Sequence, residues 1–288
     1  MTTVDEKRPL SLSDVSATML LTLYARALET LAPNPILVDE KAVELREKLN
    51  PLLDPAEGEL SRKLAQGDLP VALLQTMSLR ARHLDRQALD FLRRHSDGVI
   101  VNLGCGLDTR FYRIDDGRLH LFDLDLPDVI ALKRQLLAET DRYRFIAASV
   151  LDFEWMNQLE EKRPTLFLAE GLFMYLPIAD VKALVLALQA RFPGSELVCE
   201  VFSAKWLQGW RYRIIENKLQ NTMSMGEGAM FRSGLVDSNE MEQWHEGLQL
   251  LDDWTYFDEN EPKLGPVRLL RHWEMMRKIQ WVVHYRLN

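Results

Sequence analysis

The residues of this chain with types and spacing suited to chemistry gather first around Val99-Ile100-Val101-Asn102-Leu103-Gly104-Cys105-Gly106, an apolar run that passes straight into a Gly-x-Gly turn. Glycines at such a point permit a tight reversal and let backbone N–H groups approach a ligand. A second apolar run ends in Asp123-Leu124-Asp125, about twenty residues on, the spacing at which an acidic side chain at the end of a neighbouring strand takes both hydroxyls of a ribose. Gly104, Gly106 and Asp125 together predict nucleoside binding at the carboxyl ends of the first two strands. A dinucleotide fits less well, because Thr109 stands where the third glycine of Gly-x-Gly-x-x-Gly would fall.

These residues need a sheet to hold them. After Asp97-Gly98, short apolar runs at 99–103, 119–124, 144–148, 166–169 and 196–201 alternate with helix-like stretches such as 127–139 and 178–192, where Pro127 and Pro177 suit helix starts. Strands alternating with helices predict a parallel sheet covered on both faces, and right-handed crossovers make it doubly wound. The first third reads as helices, over 16–31, 41–49 and 69–94, the last carrying Arg80, Arg82, Arg86, Arg93 and Arg94. From residue 204 to 248 the alternation lapses into a Met-rich, Gly-punctuated stretch, read as a helical lid, and strand-like runs return at 249–257 and 278–286. The expected division is a helical cover (1–95), an α/β core that binds the cofactor (96–203), a lid or substrate insertion (204–248) and the final strands of the core sheet (249–288).

Composition narrows the function classes. The 288 residues carry 35 Lys+Arg against 43 Asp+Glu, a formal charge of −8, and are 47% hydrophobic. That profile belongs to an ordinary globular protein and argues against non-specific binding to nucleic acid or a membrane surface, both of which need clustered cations. Cys105 and Cys199 stand in apolar surroundings, too few for a disulfide framework or a Cys-based zinc site, and no His/Asp/Glu cluster shows ligand spacing, so no metal is expected. Residues 1–9 are polar where a secretory signal needs an apolar block, and no apolar run approaches a membrane span, so a cytoplasmic protein is expected.

The run from Asn102 through Gly104-Cys105-Gly106-Leu107-Asp108-Thr109-Arg110 to Arg113 closely resembles the glycine motif of the leucine carboxyl methyltransferase family. Asp123-Leu124-Asp125-Leu126-Pro127-Asp128-Val129-Ile130, Ser78-Leu79-Arg80-Ala81-Arg82 and Ala169-Glu170-Gly171-Leu172-Phe173-Met174-Tyr175-Leu176 are similar to further family segments. The segment 13–29 resembles the bacterial branch, the polyketide O-methyltransferases of the tetracenomycin type. The likeness covers roughly residues 10 to 205. It implies S-adenosylmethionine as cofactor and the class I methyltransferase (Rossmann-like) fold, a seven-stranded sheet whose last strand is antiparallel. Carried over by motif, it implies that Gly104 and Gly106 turn beneath the cofactor, Asp125 holds the ribose, Arg80 pairs the cofactor carboxylate and Glu170 receives its ammonium. Ser149 and Val150 fall where the family contacts adenine; an aspartate is common at Ser149's place, and Asp152 is the substitute expected here.

A sulfonium methyl is already an activated electrophile, so the enzyme must chiefly align acceptor, methyl and sulfur and exclude water. A carboxylate acceptor needs no general base at neutral pH, whereas a phenol usually does. Of the six histidines, His245, beside Trp244 near the end of the lid, is the candidate base; His83 follows Arg82 and is a second that would face the cleft. Tyr175 is the other candidate catalytic residue, at the cleft wall. Met223, Met225, Met230, Phe231, Trp206, Trp210 and Trp244 are expected to line a pliable aromatic-binding pocket. The expected function is S-adenosylmethionine-dependent O-methylation of a carboxylate or phenolic hydroxyl on a small polyketide-like or aromatic metabolite. The alternatives are methylation of a protein C-terminal carboxylate, or a catalytically silent cofactor-binding protein.

Overall fold

The computed structural model describes residues 14–54, 58–160, 162–214, 230–259 and 261–288, with side chains from residue 18 onward. Seven strands form one sheet: β1 (Val99–Leu103), β2 (His120–Asp125), β3 (Tyr143–Ala147), β4 (Thr165–Ala169), β5 (Ser195–Phe202), β6 (Leu248–Trp254) and β7 (Gln280–Leu287), in the order β3-β2-β1-β4-β5-β7-β6. β1 to β5 are parallel, and β7 runs antiparallel to both β5 and β6. This is the class I methyltransferase arrangement. Strand order reverses between β1 and β4, which opens a crevice at their carboxyl ends, the place where open α/β sheets bind ligands.

Every residue of β1, β4 and β5 is buried, as strands covered on both faces must be. Their side chains alternate between two apolar layers. Ile100, Leu166, Leu168 and Val198 pack with helices α1 (Asp14–Thr30), α2 (Glu40–Leu49), α3 (Glu59–Gln66) and α4 (Val71–Arg94) on one face. Val99, Val101, Leu103, Phe167 and Ala169 pack with α7 (Ile178–Arg191) on the other. Between β1 and β3 lie the short α5 (Arg110–Ile114) and α6 (Pro127–Leu136), the latter opening on its proline. No helix among the described residues is long and apolar enough to cross a membrane.

The stretch 204–248 divides. Residues 209–214 are helical, while 230–244 is pinned to the ends of β4 and β5. Arg232 N donates to Met174 O at 2.7 Å, Ser233 Oγ donates to Phe173 O at 2.8 Å, and Leu235 bridges Ser203. A Cβ on Gly234 would lie 2.5 Å from Phe202 O, so this glycine serves close backbone packing. Met223, Met225, Gly226 and Gly228 lie outside the described residues. Between β6 and β7 a 3-10 stretch, Pro262–His272, kinks at Gly265, where φ is 53°.

Candidate active site

A cavity of about 380 Å³ opens at the carboxyl ends of the parallel strands, within the size range of small-molecule sites. Its floor is the β1 turn (Gly104 to Gly106) with Asp125 from β2, Ser149 and Val150 after β3, and Glu170 after β4. α1 covers it through Thr18, Met19 and Arg26, and α4 through Leu73, Met77 and Arg80. Tyr175, Phe202, Phe231, Ile279 and Gln280 close its far end.

The glycine turn is built as its sequence demands. Gly104 and Gly106 have φ of 64° and 48°, and a Cβ on Gly104 would lie 2.9 Å from the Leu172 side chain. Asp125 is bonded to this turn: Oδ2 accepts from Gly106 N at 2.7 Å and Oδ1 from Leu126 N at 2.8 Å. Burial raises its carboxyl above the usual range, against the two backbone donors. Thr109, in the place of a third glycine, precedes a helix of only five residues, and its buried hydroxyl donates to the Asp39 carboxylate at 2.6 Å.

Behind the turn lies a buried ionic network that composition alone does not announce. Asp39 accepts from Arg26 Nε (3.0 Å) and Arg113 Nη1 (2.8 Å), and Arg26 Nη2 donates to Leu107 O (3.0 Å). Arg110 reaches Asp85 (2.7 Å), Asp108 (2.6 Å) and Glu170 (2.8 Å). Asn102 donates to Asp108 and Asp123, and Lys133 pairs Asp123 at 2.5 Å. Burial alone would raise the Asp108 carboxyl, but Arg110 and Arg113 outweigh it and hold it well below the ordinary range. Glu170 is likewise held low, by Arg80 and Arg110 against burial. The network locks α1, α4 and α5 to the turn, so the floor of the cavity is fixed before any ligand arrives.

Arg80 and Glu170 meet directly: Arg80 Nε donates to Glu170 Oε1 at 2.9 Å, and Arg80 Nη1 donates to Glu200 Oε2 at 2.7 Å. Arg80 Nη2 keeps no partner among the described residues. Tyr175 is packed edge-on against Phe231 at 5.4 Å, and Phe231 against Phe202 at 4.7 Å. Burial lifts the Tyr175 phenol to about 12, so it stays a neutral donor at physiological pH.

Three expected residues are elsewhere. His245 accepts from Gly247 N at 3.0 Å just before β6, whose Leu248 pairs with Leu287, itself opposite Ser195 at the start of β5. That is the amino end of the parallel sheet, opposite the cavity, so His245 is no base for this site. Asp152 caps a 3-10 helix (Phe153–Gln158), accepting from Glu154 N at 3.4 Å, and does not line the cavity. His83 is stacked on Trp254 with ring centroids 4.2 Å apart, and burial pushes it down to about 3, which keeps it neutral. Of the aromatic residues expected in the pocket, Phe231 lines the cavity and Trp206, Trp210 and Trp244 do not.

Glu200 and Gln280 were not singled out from sequence. Glu200, like Glu170, is a charge where an apolar strand predicts none. Gln280 gave no signal, because only the antiparallel pairing of β7 with β5 brings it beside Phe202.

Comparison with known proteins agrees with this geometry. The leucine carboxyl methyltransferase family model matches residues 19–189. The tetracenomycin polyketide synthesis O-methyltransferase TcmP of Streptomyces glaucescens is 32% identical over 264 residues, covering 91% of this chain and 90% of that protein. The S-adenosyl-L-methionine-dependent methyltransferase dpfgK of Gibberella zeae is 29% identical over 255 residues, covering 85% and 83%. Among solved structures, a DUF574 family protein of Streptomyces avermitilis shares the fold with a TM-score of 0.58 at 15% identity, covering 94% of this chain and 97% of that one.

Proposed function

The chain belongs to the leucine carboxyl methyltransferase family and is an S-adenosylmethionine-dependent methyltransferase; from that premise we propose that it methylates an oxygen, preferably a carboxylate, of a small aromatic or polyketide-like molecule. The observation that carries the reading is the two-sided character of one cavity. Its floor offers backbone N–H groups and the carboxylates of Asp125 and Glu170, while its far end is walled by Tyr175, Phe202, Phe231 and Ile279, with Leu73 and Met77 of α4 in the cover. A nucleoside with a charged amino-acid tail suits the first half and a flat apolar acceptor the second.

The residues present fit the cofactor. The glycine turn takes left-handed φ at Gly104 and Gly106, where a side chain would be strained, and Asp125, tied to that turn, keeps lone pairs that would take ribose hydroxyls. Ser149 and Val150 would border the adenine, Arg80 would hold the carboxylate through its spare Nη2, and Glu170 would hold the ammonium. The bound cofactor supplies an electrophilic methyl group on a sulfonium sulfur. The protein aligns the acceptor with it, and the packed aromatic wall of Tyr175, Phe202 and Phe231 keeps water from the reacting atoms.

Proton removal decides between acceptors. No histidine lines the cavity among the described residues. Asp108 and Glu170 are held ionised by arginines, where a carboxylate is a weak base. Asp125 has both oxygens tied to the backbone of the glycine turn and Leu126, on the side assigned to the ribose, and the Tyr175 phenol is protonated. An acceptor that enters already as an anion needs none of them. This favours a carboxylate, with a phenol as second reading. The test is a screen of small aromatic acids, phenols and C-terminal peptides with labelled cofactor and mass detection. Methyl ester formation on a small acid is the expected outcome, and methylation confined to peptides would refute it.

A further inference from the structure

The far end of the cavity holds one polar group whose orientation is fixed from behind. Glu200, inside β5, is completely buried. Its Oε2 accepts from Arg80 Nη1 at 2.7 Å, and its Oε1 accepts from Gln280 Nε2 at 2.7 Å and from the Tyr256 hydroxyl. A carboxylate paired to arginine can only accept, so Gln280 must offer it the amide NH₂. Turning the amide over would set its carbonyl oxygen against the carboxylate. The carbonyl therefore points away from Glu200, has no partner among the described residues, and belongs to a residue that lines the cavity beside Ile279 and Phe202. Gln280 opens β7 and pairs with Phe202, so its backbone is held by the sheet.

We propose that the side-chain carbonyl of Gln280 is a specificity-determining contact that accepts a hydrogen bond from a hydroxyl or N–H on the methyl acceptor, distinct from the oxygen that is methylated. A partly negative carbonyl oxygen repels a carboxylate, so the anionic oxygen that receives the methyl lies elsewhere in the chamber. An acceptor with bare hydrocarbon at this point leaves the carbonyl unpaired as water is displaced, and a site built around a hydrogen bond rejects such an analogue. The substrate class is thereby narrowed to an aromatic acid carrying a ring hydroxyl or N–H. This rests on the reading that an aromatic acid occupies the apolar half of the cavity.

The test is calorimetry at saturating S-adenosylhomocysteine, comparing 2-naphthoic acid with the series of its ring-hydroxylated isomers. At least one isomer is expected to bind roughly tenfold tighter than the parent acid. In Gln280→Met, which keeps the length and removes the acceptor, that preference is expected to shrink to about twofold as the hydroxylated isomer weakens. Glu200→Gln, which lets the Gln280 amide turn over, is expected to narrow it as well, and decides alone if Gln280→Met no longer binds S-adenosylhomocysteine. Equal binding of all the acids to the unaltered protein, or a preference that survives in Gln280→Met, overturns the inference while leaving the aromatic-acid reading in place. Failure of every acid to bind overturns both.

Discussion

Arg80 Nε lies 2.9 Å from Glu170 Oε1, so the two side chains assigned to opposite ends of the cofactor's amino-acid tail are already bonded to each other. Each has a second anchor: Arg80 holds Glu200 and Glu170 holds Arg110. A zwitterionic tail can thus join an existing pair of opposite charges without leaving either side chain stranded, which lowers the desolvation cost of binding. Arg80→Lys keeps the charge but loses the planar fork that serves two carboxylates and still offers Nη2. Its dissociation constant for S-adenosylhomocysteine should rise by about tenfold or more. Glu170→Gln should do the same and also lower the urea midpoint, because Arg80 and Arg110 each lose a buried anion. Acceptor KM at saturating cofactor should hardly change in Glu170→Gln, which leaves the Arg80–Glu200–Gln280 chain in place. A change there instead would place the residue in the acceptor chamber.

Asp125 links the cofactor floor to the glycine turn through Gly106 N. Asp125→Ala removes the carboxylate proposed for the ribose and leaves two backbone donors, on Gly106 and Leu126, without a partner. Binding of S-adenosylhomocysteine should weaken by about 1–3 kcal/mol, as for hydrogen bonds to a charged group. Calorimetry on the folded variant checks this, and an unchanged affinity would move the ribose elsewhere.

His83 gives the protein a pH dependence that can be read without any ligand. Its folded pKa, pushed by burial to about 3, lies below the ordinary value of 6.5. The unfolded chain therefore takes up a proton that the folded one refuses. Stability from this group is complete above about pH 6.5 and is lost as pH falls toward 3, with a limiting slope of about 1.4 kcal/mol per pH unit. His83→Phe keeps a ring against Trp254 and removes the titration. Urea unfolding from pH 7 to 4 should fall more steeply for the unaltered protein than for this variant; parallel curves would show that His83 protonates freely in the folded state.

The parts of the site that sequence displays are those made within one strand and its following turn. Gly104, Gly106 and Asp125 fall together because β1 and β2 are adjacent, and Glu170 is conspicuous as a charge closing an apolar strand. Residues joined only by long-range pairing are not displayed. His245 falls near the end of the stretch expected to be a lid, yet the pairing of β6 with β7 carries it to the opposite end of the sheet. Asp152 has the chemistry for adenine but stands where a short helix needs a cap. The arginine density of α4 is visible in the sequence, but its partners are not: Arg80 joins Glu170 and Glu200, and Arg82 and Arg86 reach Glu259. The buried carboxylates Asp39, Asp85 and Asp108 are held instead by Arg110 and Arg113 of α5, which depends on which helix faces meet.

Thr109 tests that network at the position where a dinucleotide site would have glycine. The third glycine of such motifs allows close packing of a long helix against the strand, whereas α5 spans only five residues and its lead-in is fixed by the Thr109 hydroxyl on Asp39. Thr109→Val is nearly isosteric and removes that donor together with the oxygen that accepts from Arg113 Nη1 at 2.9 Å. Asp39 keeps Arg26, Arg113 and Ala42 N, and Arg113 Nη1 keeps Asp39, so the loss should be at least that of one hydrogen bond to a charged group, about 1.5–3 kcal/mol. Thr109→Ser retains the hydroxyl and should recover most of it. Thr109→Gly should be no more stable than Thr109→Val, since it adds backbone freedom to the unfolded chain, and should not gain affinity for NAD. Urea denaturation ranks the three, and calorimetry with NAD checks the last point. Equal stability of Thr109→Val and the unaltered protein would show that Asp39 draws its support from the two arginines and Ala42 N and that the threonine only fills space.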